Sequence, residues 1–101
     1  MASQRETRID DALARALADV APEARLEGLE PRVSFHTQLE LDSVDFMRLM
    51  TALERSAGVA IPGADTHQLA TPEGARSYLR ERLSARERMD GPNEESDGGG
   101  E

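Results

Sequence analysis

Apolar residues recur every three or four positions in three separate stretches of this chain, and such spacing is typical of amphipathic α-helices. The stretches predict a first helix over about residues 7–20, a second over 43–57 and a last one over 72–85, with a short third helix at 65–69. Only three residues are aromatic, so Leu, Val, Ile, Met and Ala must fill the core, and these residues suit helices better than a sheet. The sequence therefore predicts an all-α fold, a small four-helix bundle with three main helices, a short third helix and a long loop between helices one and two.

Residue types at the ends of these stretches support the boundaries. Asp42 is a good N-cap for the second helix, and Gly58 supplies a left-handed stop after it. Thr71 is placed to cap the last helix, whose first residue would be Pro72. Two residue pairs fit a capping box at the start of the first helix: Ser3 with Glu6, or Thr7 with Asp10.

Residues 21–41 form an unusually long connection for a compact domain. The segment contains Pro22, Gly28 and Pro31, but apolar residues also punctuate it. We therefore expect these apolar side chains to pin the connection across the bundle, with one short helical turn near Glu23–Leu29.

Charge divides the chain into a domain and a tail. The net charge is −8, and residues 90–101 hold five acids and no base. We expect a flexible N-terminus over residues 1–6, one domain over 7–88 and a disordered acidic tail over 89–101. Such an acidic chain is a poor partner for nucleic acid, because phosphate binding needs a basic surface.

Other function classes are disfavoured by what the composition lacks. No apolar run approaches the roughly 20 residues needed to cross a bilayer, and the N-terminal residues show no apolar signal core. We therefore expect a cytoplasmic monomer that is not a membrane protein. Cysteine is absent, so any thioester chemistry must take its sulfur from a cofactor.

The predicted second helix carries more apolar residues than one buried face requires. An inward stripe follows spacings of three, one, three and four: Phe46, Leu49, Met50, Leu53 and Ala57. Val44, Met47 and Thr51 form a second stripe, rimmed by Asp45 and Arg48. Exposed apolar surface with a charged rim commonly marks a docking site, so these five residues are candidate partner contacts. The alternative is that the long loop covers the second stripe and both stripes belong to the core.

Ser43 stands at the entrance of this helix, directly after Asp42. A phosphodiester on its hydroxyl would lie beside free backbone N–H groups and the positive end of the helix dipole. The alternative is that Ser43 only helps to cap the helix.

The run LELDSVDFMRLMTALERSAGVAIP, residues 39–62, resembles the region around the prosthetic-group serine of acyl carrier proteins. Asp42, Ser43 and Val44 match the Asp-Ser-Leu hallmark that opens the second helix of that family. Ala52-Leu53-Glu54 and the element from Gly58 to Pro62 match two further motifs in register. The correspondence continues without a gap to about Leu83.

This resemblance implies a carrier and not an enzyme, with 4′-phosphopantetheine attached to Ser43 and acyl groups held as thioesters on its thiol. Asp42 would contribute to recognition by the phosphopantetheinyl transferase, also called holo-acyl carrier protein synthase, which uses coenzyme A and magnesium. Further partners would be acyl-activating, ketosynthase or acyltransferase enzymes of fatty acid, lipid or polyketide metabolism. The contacts would be Val44, Met47 and Thr51, because the family uses this helix for recognition.

The chain departs from the family pattern at several positions. Glu40 stands where the family usually has glycine, and Arg48 and Arg55 replace acids that commonly meet basic partner surfaces. Arg76 falls where an apolar residue is usual, and Ala57 replaces a larger side chain. We therefore expect the family's usual partners to bind poorly, and a specialised lipid or secondary-metabolite carrier with dedicated partners.

Two other functions remain open alternatives. The chain could be an unmodified helical adaptor that binds partners through the second helix, or an aminoacyl or peptidyl carrier, although those usually have two glycines before the serine. His36 and His67 reproduce no metal-ligand spacing, so no metal site is expected, and a Ser43–His36–Asp triad lacks a nucleophile elbow.

Overall fold

Four α-helices make up most of residues 4–90, the part of the chain described by the computed structural model. They are α1 (Gln4–Val20), α2 (Phe35–Leu39), α3 (Ser43–Ala57) and α4 (Pro72–Asp90), and 3-10 turns occupy Leu26–Gly28 and Gly63–Leu69 in the connections. No strand occurs among these residues. The predicted all-α bundle is confirmed; the predicted second helix is α3, the short third helix is the 3-10 turn Gly63–Leu69, and the last helix is α4.

The helices α1, α3 and α4 enclose one apolar core. Asp19, near the end of α1, lies beside Ser43 at the start of α3, whereas Arg8 lies beside Ala57 at the other end. The two helices therefore run antiparallel. The buried residues of the cluster come from every main element: Ile9, Ala12, Leu13, Ala16 and Leu17 of α1, Phe46, Leu49, Met50 and Leu53 of α3, and Ala75, Tyr78, Leu79 and Leu83 of α4, joined by Phe35, Val59, Ile61 and Leu69.

Two helix boundaries differ from the sequence-based expectation. The first helix begins at Gln4 and not near Thr7, so residues 4–6 of the segment expected to be flexible are helical, and a capping box of Thr7 with Asp10 is wrong. The added turn contacts α4, where the Glu6 carboxylate accepts from Arg80 Nε at 2.6 Å. This hydrogen bond also lowers the pKa of Glu6 below its ordinary value.

At the other end of the chain, α4 continues past the expected end at Ala85 as far as Asp90. The Arg86 guanidinium donates to the Gly58 carbonyl, and this contact ties the last turns of α4 to the end of α3. Residues 91–101, most of the segment predicted to be a disordered acidic tail, lie outside the described residues. Arg76, which stands at a usually apolar position, donates from Nε to Asp10 of α1 at 3.0 Å.

The long connection between α1 and α3 is pinned across the bundle, as expected from its apolar residues. Phe35 is 0% exposed, and its N–H donates to the Ala70 carbonyl at 2.8 Å. The Glu73 N–H donates to the Pro31 carbonyl at 2.9 Å, which joins the connection to the first turn of α4. The expected turn within Glu23–Leu29 is the 3-10 turn Leu26–Gly28, but the connection also contains a helix that the sequence analysis missed, α2.

The segments around α3 and α4 have the predicted end structures. Gly58 ends α3 in the left-handed conformation with φ 69°, and the extended piece that follows is held by a hydrogen bond from Ile61 N to Glu54 Oε2 at 2.6 Å. Thr71 caps α4 by accepting from the Gly74 N–H at 3.0 Å. None of the helices in the described range is long and apolar enough to span a bilayer.

Glu40 ends α2 in the left-handed conformation with φ 54°, a region that non-glycine residues rarely adopt. Its N–H donates to the His36 carbonyl, so the backbone geometry is that of a helix end normally closed by glycine. We expect Glu40→Gly to raise the free energy of unfolding by about 0.5–1 kcal/mol, because relief of the left-handed strain exceeds the entropy cost of glycine.

Urea denaturation of wild type and Glu40→Gly measures this change. Gly58→Ala is the matched control, since it places a Cβ on the other left-handed residue and should lower the stability by a similar amount. A destabilised Glu40→Gly protein would mean that the glutamate side chain contributes a contact that outweighs the backbone strain.

Candidate functional site

The side chain that caps α3 is Asp42 and not Ser43. Asp42 Oδ1 accepts a hydrogen bond from the Asp45 N–H at 2.8 Å, and Asp42 itself has the extended backbone of an N-cap. Ser43 is the first helical residue and is exposed, and its hydroxyl makes no hydrogen bond to any other described residue. The capping interpretation of Ser43 is therefore wrong, and its Oγ is available to solvent.

No described side chain activates the Ser43 hydroxyl as a nucleophile. The His36 ring packs against Phe46 with 4.5 Å between ring centroids, and His67 Nδ1 lies 3.0 Å from the Ala64 carbonyl oxygen. Neither histidine contacts Ser43, so the structure does not assemble the Ser–His–Asp triad. Among residues 4–86, whose side chains the structure describes, no group of three or more histidine, aspartate and glutamate side chains is arranged to hold a metal ion.

The position of Ser43 is electrostatically suited to a phosphodiester. In the first turn of a helix, backbone N–H groups lack intrahelical carbonyl partners and the dipole end is positive. Asp42 satisfies the Asp45 N–H, while Asp45 itself has Arg48 as a distant partner at 3.8 Å. An anion linked to Ser43 Oγ would therefore lie near Asp42 and Asp45, whose negative charges are partly offset by these partners. It would also lie near two further backbone N–H groups of the first turn.

The second apolar stripe of α3 is exposed, as the excess of apolar residues predicts. Val44 is 68% exposed and Met47 is 47% exposed, and Thr51 also faces solvent. The inward stripe is buried at Phe46, Leu49, Met50 and Leu53 and partly buried at Ala57. The alternative in which the long connection covers the second stripe and both stripes belong to the core is wrong, because Val44 and Met47 remain exposed.

A shallow surface groove begins at Ser43 and follows the exposed side of α3. Its lining residues are Asp19, Ser43, Val44, Met47, Arg48 and Thr51. The structure thus brings together five of the seven candidate site residues, with Asp42 and Asp45 adjoining in the first turn of the helix. Asp19 was missed by the sequence analysis, because only the antiparallel packing of α1 on α3 places it there, and no local signal marks it.

An exposed hydroxyl with room around it and a helix start behind it fits a covalently attached 4′-phosphopantetheine. When attached, that group supplies a terminal thiol, which a chain without cysteine cannot supply itself. The residues present at the start of α3 therefore fit the group, and no additional ligand is needed to hold it.

Comparisons with known proteins agree with this site. A family model described as a phosphopantetheine attachment site matches residues 11–79, which include all of α3. The acyl carrier protein of Rubrobacter xylanophilus is 36% identical over 55 residues, covering 54% of this chain and 68% of that protein. The acyl carrier protein of Thermosynechococcus vestitus is 32% identical over 59 residues, covering 58% of this chain and 73% of that protein. The chain belongs to the acyl carrier protein family, whose members are carriers rather than catalysts and hold covalently attached 4′-phosphopantetheine.

Proposed function

We propose that 4′-phosphopantetheine is attached to Ser43 as a flexible arm and that the protein carries acyl groups as thioesters on the terminal thiol of this arm. The observation that carries this proposal is the Ser43 hydroxyl, which is exposed at the first position of α3 while Asp42 performs the capping. Because this hydroxyl makes no hydrogen bond to another described residue, it can be modified without breaking a contact that stabilises the fold. Asp42 then has two roles, to fix the helix start and to present a carboxylate to the transferase.

The attachment step requires little from this chain. Ser43 Oγ forms a bond to phosphorus while the pyrophosphate bond of coenzyme A breaks, adenosine 3′,5′-bisphosphate leaves, and the hydroxyl proton passes to a base. Since Ser43 Oγ makes no hydrogen bond to any described side chain, histidine or carboxylate, we assign that base to the phosphopantetheinyl transferase. The carrier contributes an accessible oxygen and a rigid helix start that orients it.

The exposed stripe of α3 is proposed to be the surface on which the transferase and the acyl-handling enzymes dock. Val44 and Met47 offer apolar area beside the modified serine, and Thr51 extends the contact along the helix. Asp45 and Arg48 form its charged rim. We propose a cytoplasmic, monomeric carrier. Because arginines occupy part of this surface, we also propose that its partners are dedicated to a specialised lipid or secondary-metabolite route.

Substitution of Ser43 tests the attachment site. Wild-type protein is incubated with coenzyme A, magnesium and a broadly tolerant phosphopantetheinyl transferase, and its intact mass is measured. The expected result is a mass increase of one phosphopantetheine in wild type and no increase in Ser43→Ala. Ser77→Ala, at an exposed serine of α4, is the matched control and should be modified like wild type.

An unchanged wild-type mass with every competent transferase would favour the unmodified adaptor, in which α3 binds partners without an arm. Modification of Ser43→Ala would place the arm elsewhere. Loading of the holo protein with fatty acyl groups, compared with amino acids, separates an acyl carrier from an aminoacyl or peptidyl carrier.

A further inference from the structure

The outer side of α3 changes its charge along the helix. Acids lie around Ser43, namely Asp19 in the groove and Asp42 and Asp45 in the first turn. Farther along, Arg48 and Arg55 lie beside the second stripe, seven residues apart on the same side of the helix. At about 1.5 Å of rise per residue the two arginines are separated by roughly 10 Å along the axis. The far half of this surface is therefore basic, although the chain as a whole is acidic.

These two arginines are not used to hold the fold together. Arg48 is 57% exposed in its side chain, and its only ion pair among the described residues is the 3.8 Å contact with Asp45. Arg55 is exposed and forms no ion pair or side-chain hydrogen bond with the described side chains of residues 4–86. In α4, by contrast, the described arginines are all engaged: Arg76 with Asp10, Arg80 with Glu6, Arg82 with Asp65, and Arg86 with the Gly58 carbonyl.

Positive charge continues from α3 onto the neighbouring flank of α1. Arg8 and Arg15 line a small cleft with Ser56 and Ala57, and neither has an ion pair in the described part of the chain. Asp11, which also lines this cleft, compensates only part of the charge. The basic region thus extends beyond a single helix.

We propose that the enzymes that dock on Val44 and Met47 present carboxylates to Arg48 and Arg55, about 10 Å apart. This inference rests on the proposed function, because it concerns the partners that reach Ser43. The occupant is a protein surface with acidic residues, since an anionic membrane or a nucleic acid would also meet Asp19, Asp42 and Asp45 and the net charge of −8. Like charges placed opposite one another exclude wrong partners, so a transferase with basic residues at this place is selected against.

A double-mutant cycle between carrier and transferase tests the sign of this contact. Two carriers are compared, wild type and the charge-reversed Arg48→Glu/Arg55→Glu variant. Each is tested with two transferases: a basic transferase, whose docking surface carries basic residues, and a glutamate transferase, in which two of those basic residues are replaced by glutamate. The value measured is kcat/KM for modification of Ser43. Arg25→Glu/Arg32→Glu is the control carrier, because it changes the net charge equally at exposed positions on the connection after α1.

The expected result is a coupling of about tenfold, in which wild type favours the glutamate transferase and the charge-reversed carrier favours the basic one. The coupling should decrease at about 1 M salt, where the Debye length is only roughly 3 Å. It should be absent for the control carrier. Coupling within about twofold, or of the opposite sign, overturns the inference while modification of Ser43 leaves the proposed function intact. If no carrier is modified by either transferase, the proposed function fails and this inference fails with it.

Discussion

Met50→Asp is expected to unfold the protein, whereas Met47→Asp leaves the helical fold intact and weakens phosphopantetheine transfer. The two variants have the same composition and differ only in the face of α3 that receives the carboxylate. Met50 is 2% exposed in the core and Met47 is 47% exposed beside Ser43. A buried unpaired charge costs about 4 kcal/mol or more, which is much of the 5–15 kcal/mol that stabilises a typical domain.

Far-UV circular dichroism and thermal melting measure the fold, and kcat/KM with a transferase measures docking. For Met47→Asp we expect a melting temperature close to that of wild type and a fall of about tenfold or more in kcat/KM. Ser77→Asp adds the same charge at an exposed position of α4 and should leave both values unchanged. An unfolded Met47→Asp protein would show that Met47 belongs to the core, and the assignment of two stripes to two faces would then be wrong.

Gly74→Ala is the second substitution with a large expected effect, although alanine ordinarily favours a helix. A Cβ on Gly74 would overlap the backbone carbonyl oxygen of Gln68 and would lie 3.1 Å from Thr71 Oγ1. The first of these atoms belongs to the backbone of the 3-10 turn packed against α4, so a side-chain rotation cannot relieve the clash. We expect a loss of about 1–3 kcal/mol in the free energy of unfolding, measured by urea denaturation.

Gly63→Ala is the matched control for this prediction. Its Cβ would meet nothing within 4 Å, and its backbone does not require a left-handed conformation. Alanine restricts the unfolded chain more than glycine does, so Gly63→Ala should raise the free energy of unfolding by about 0.4–1 kcal/mol, whereas Gly74→Ala should lower it. Stabilisation by Gly74→Ala would show that α4 and the turn before it can separate at little cost.

The three main helices were predictable because each has a long apolar stripe and local end signals. For α3 the stripe from Phe46 to Leu53, the Asp42 cap and the Gly58 stop all indicate one helix in one register. Thr71 and Pro72 fix the start of α4 in the same way. Local signals of this kind act within a few residues, so a single sequence contains them in full.

Features that depend on tertiary contacts were missed. The five residues of α2 are too few for a periodic stripe, and the helix is held by the buried Phe35 ring and the Ser34 cap, which accepts from the Thr37 N–H at 3.0 Å. In the early part of α1, Glu6 accepts a hydrogen bond from Arg80, which is 74 residues away along the chain. The burial of Phe35 and the contact of Arg80 leave no local pattern in the sequence, and the Ser34 cap alone is too short a signal to predict a helix.

The candidate site was predictable in part for the same reasons. Helical spacing alone separates Val44 and Met47 from the buried stripe, and the structure agrees. The sequence predicted Asp42 as the cap of α3, but excluding a capping role for Ser43 required coordinates, since both residue types are good caps. The place of Asp19 in the groove also required them.

Tandem mass spectrometry of the holo protein measures the central claim most directly. Trypsin should release residues 33–48 as one peptide, which contains Ser34, Thr37 and Ser43 as its hydroxyl side chains. Fragment ions that carry the added 4′-phosphopantetheine only when they include Ser43 are the predicted result. The arm on Ser34, on Thr37 or on any other peptide would contradict the assignment of the exposed first residue of α3 as the point of attachment.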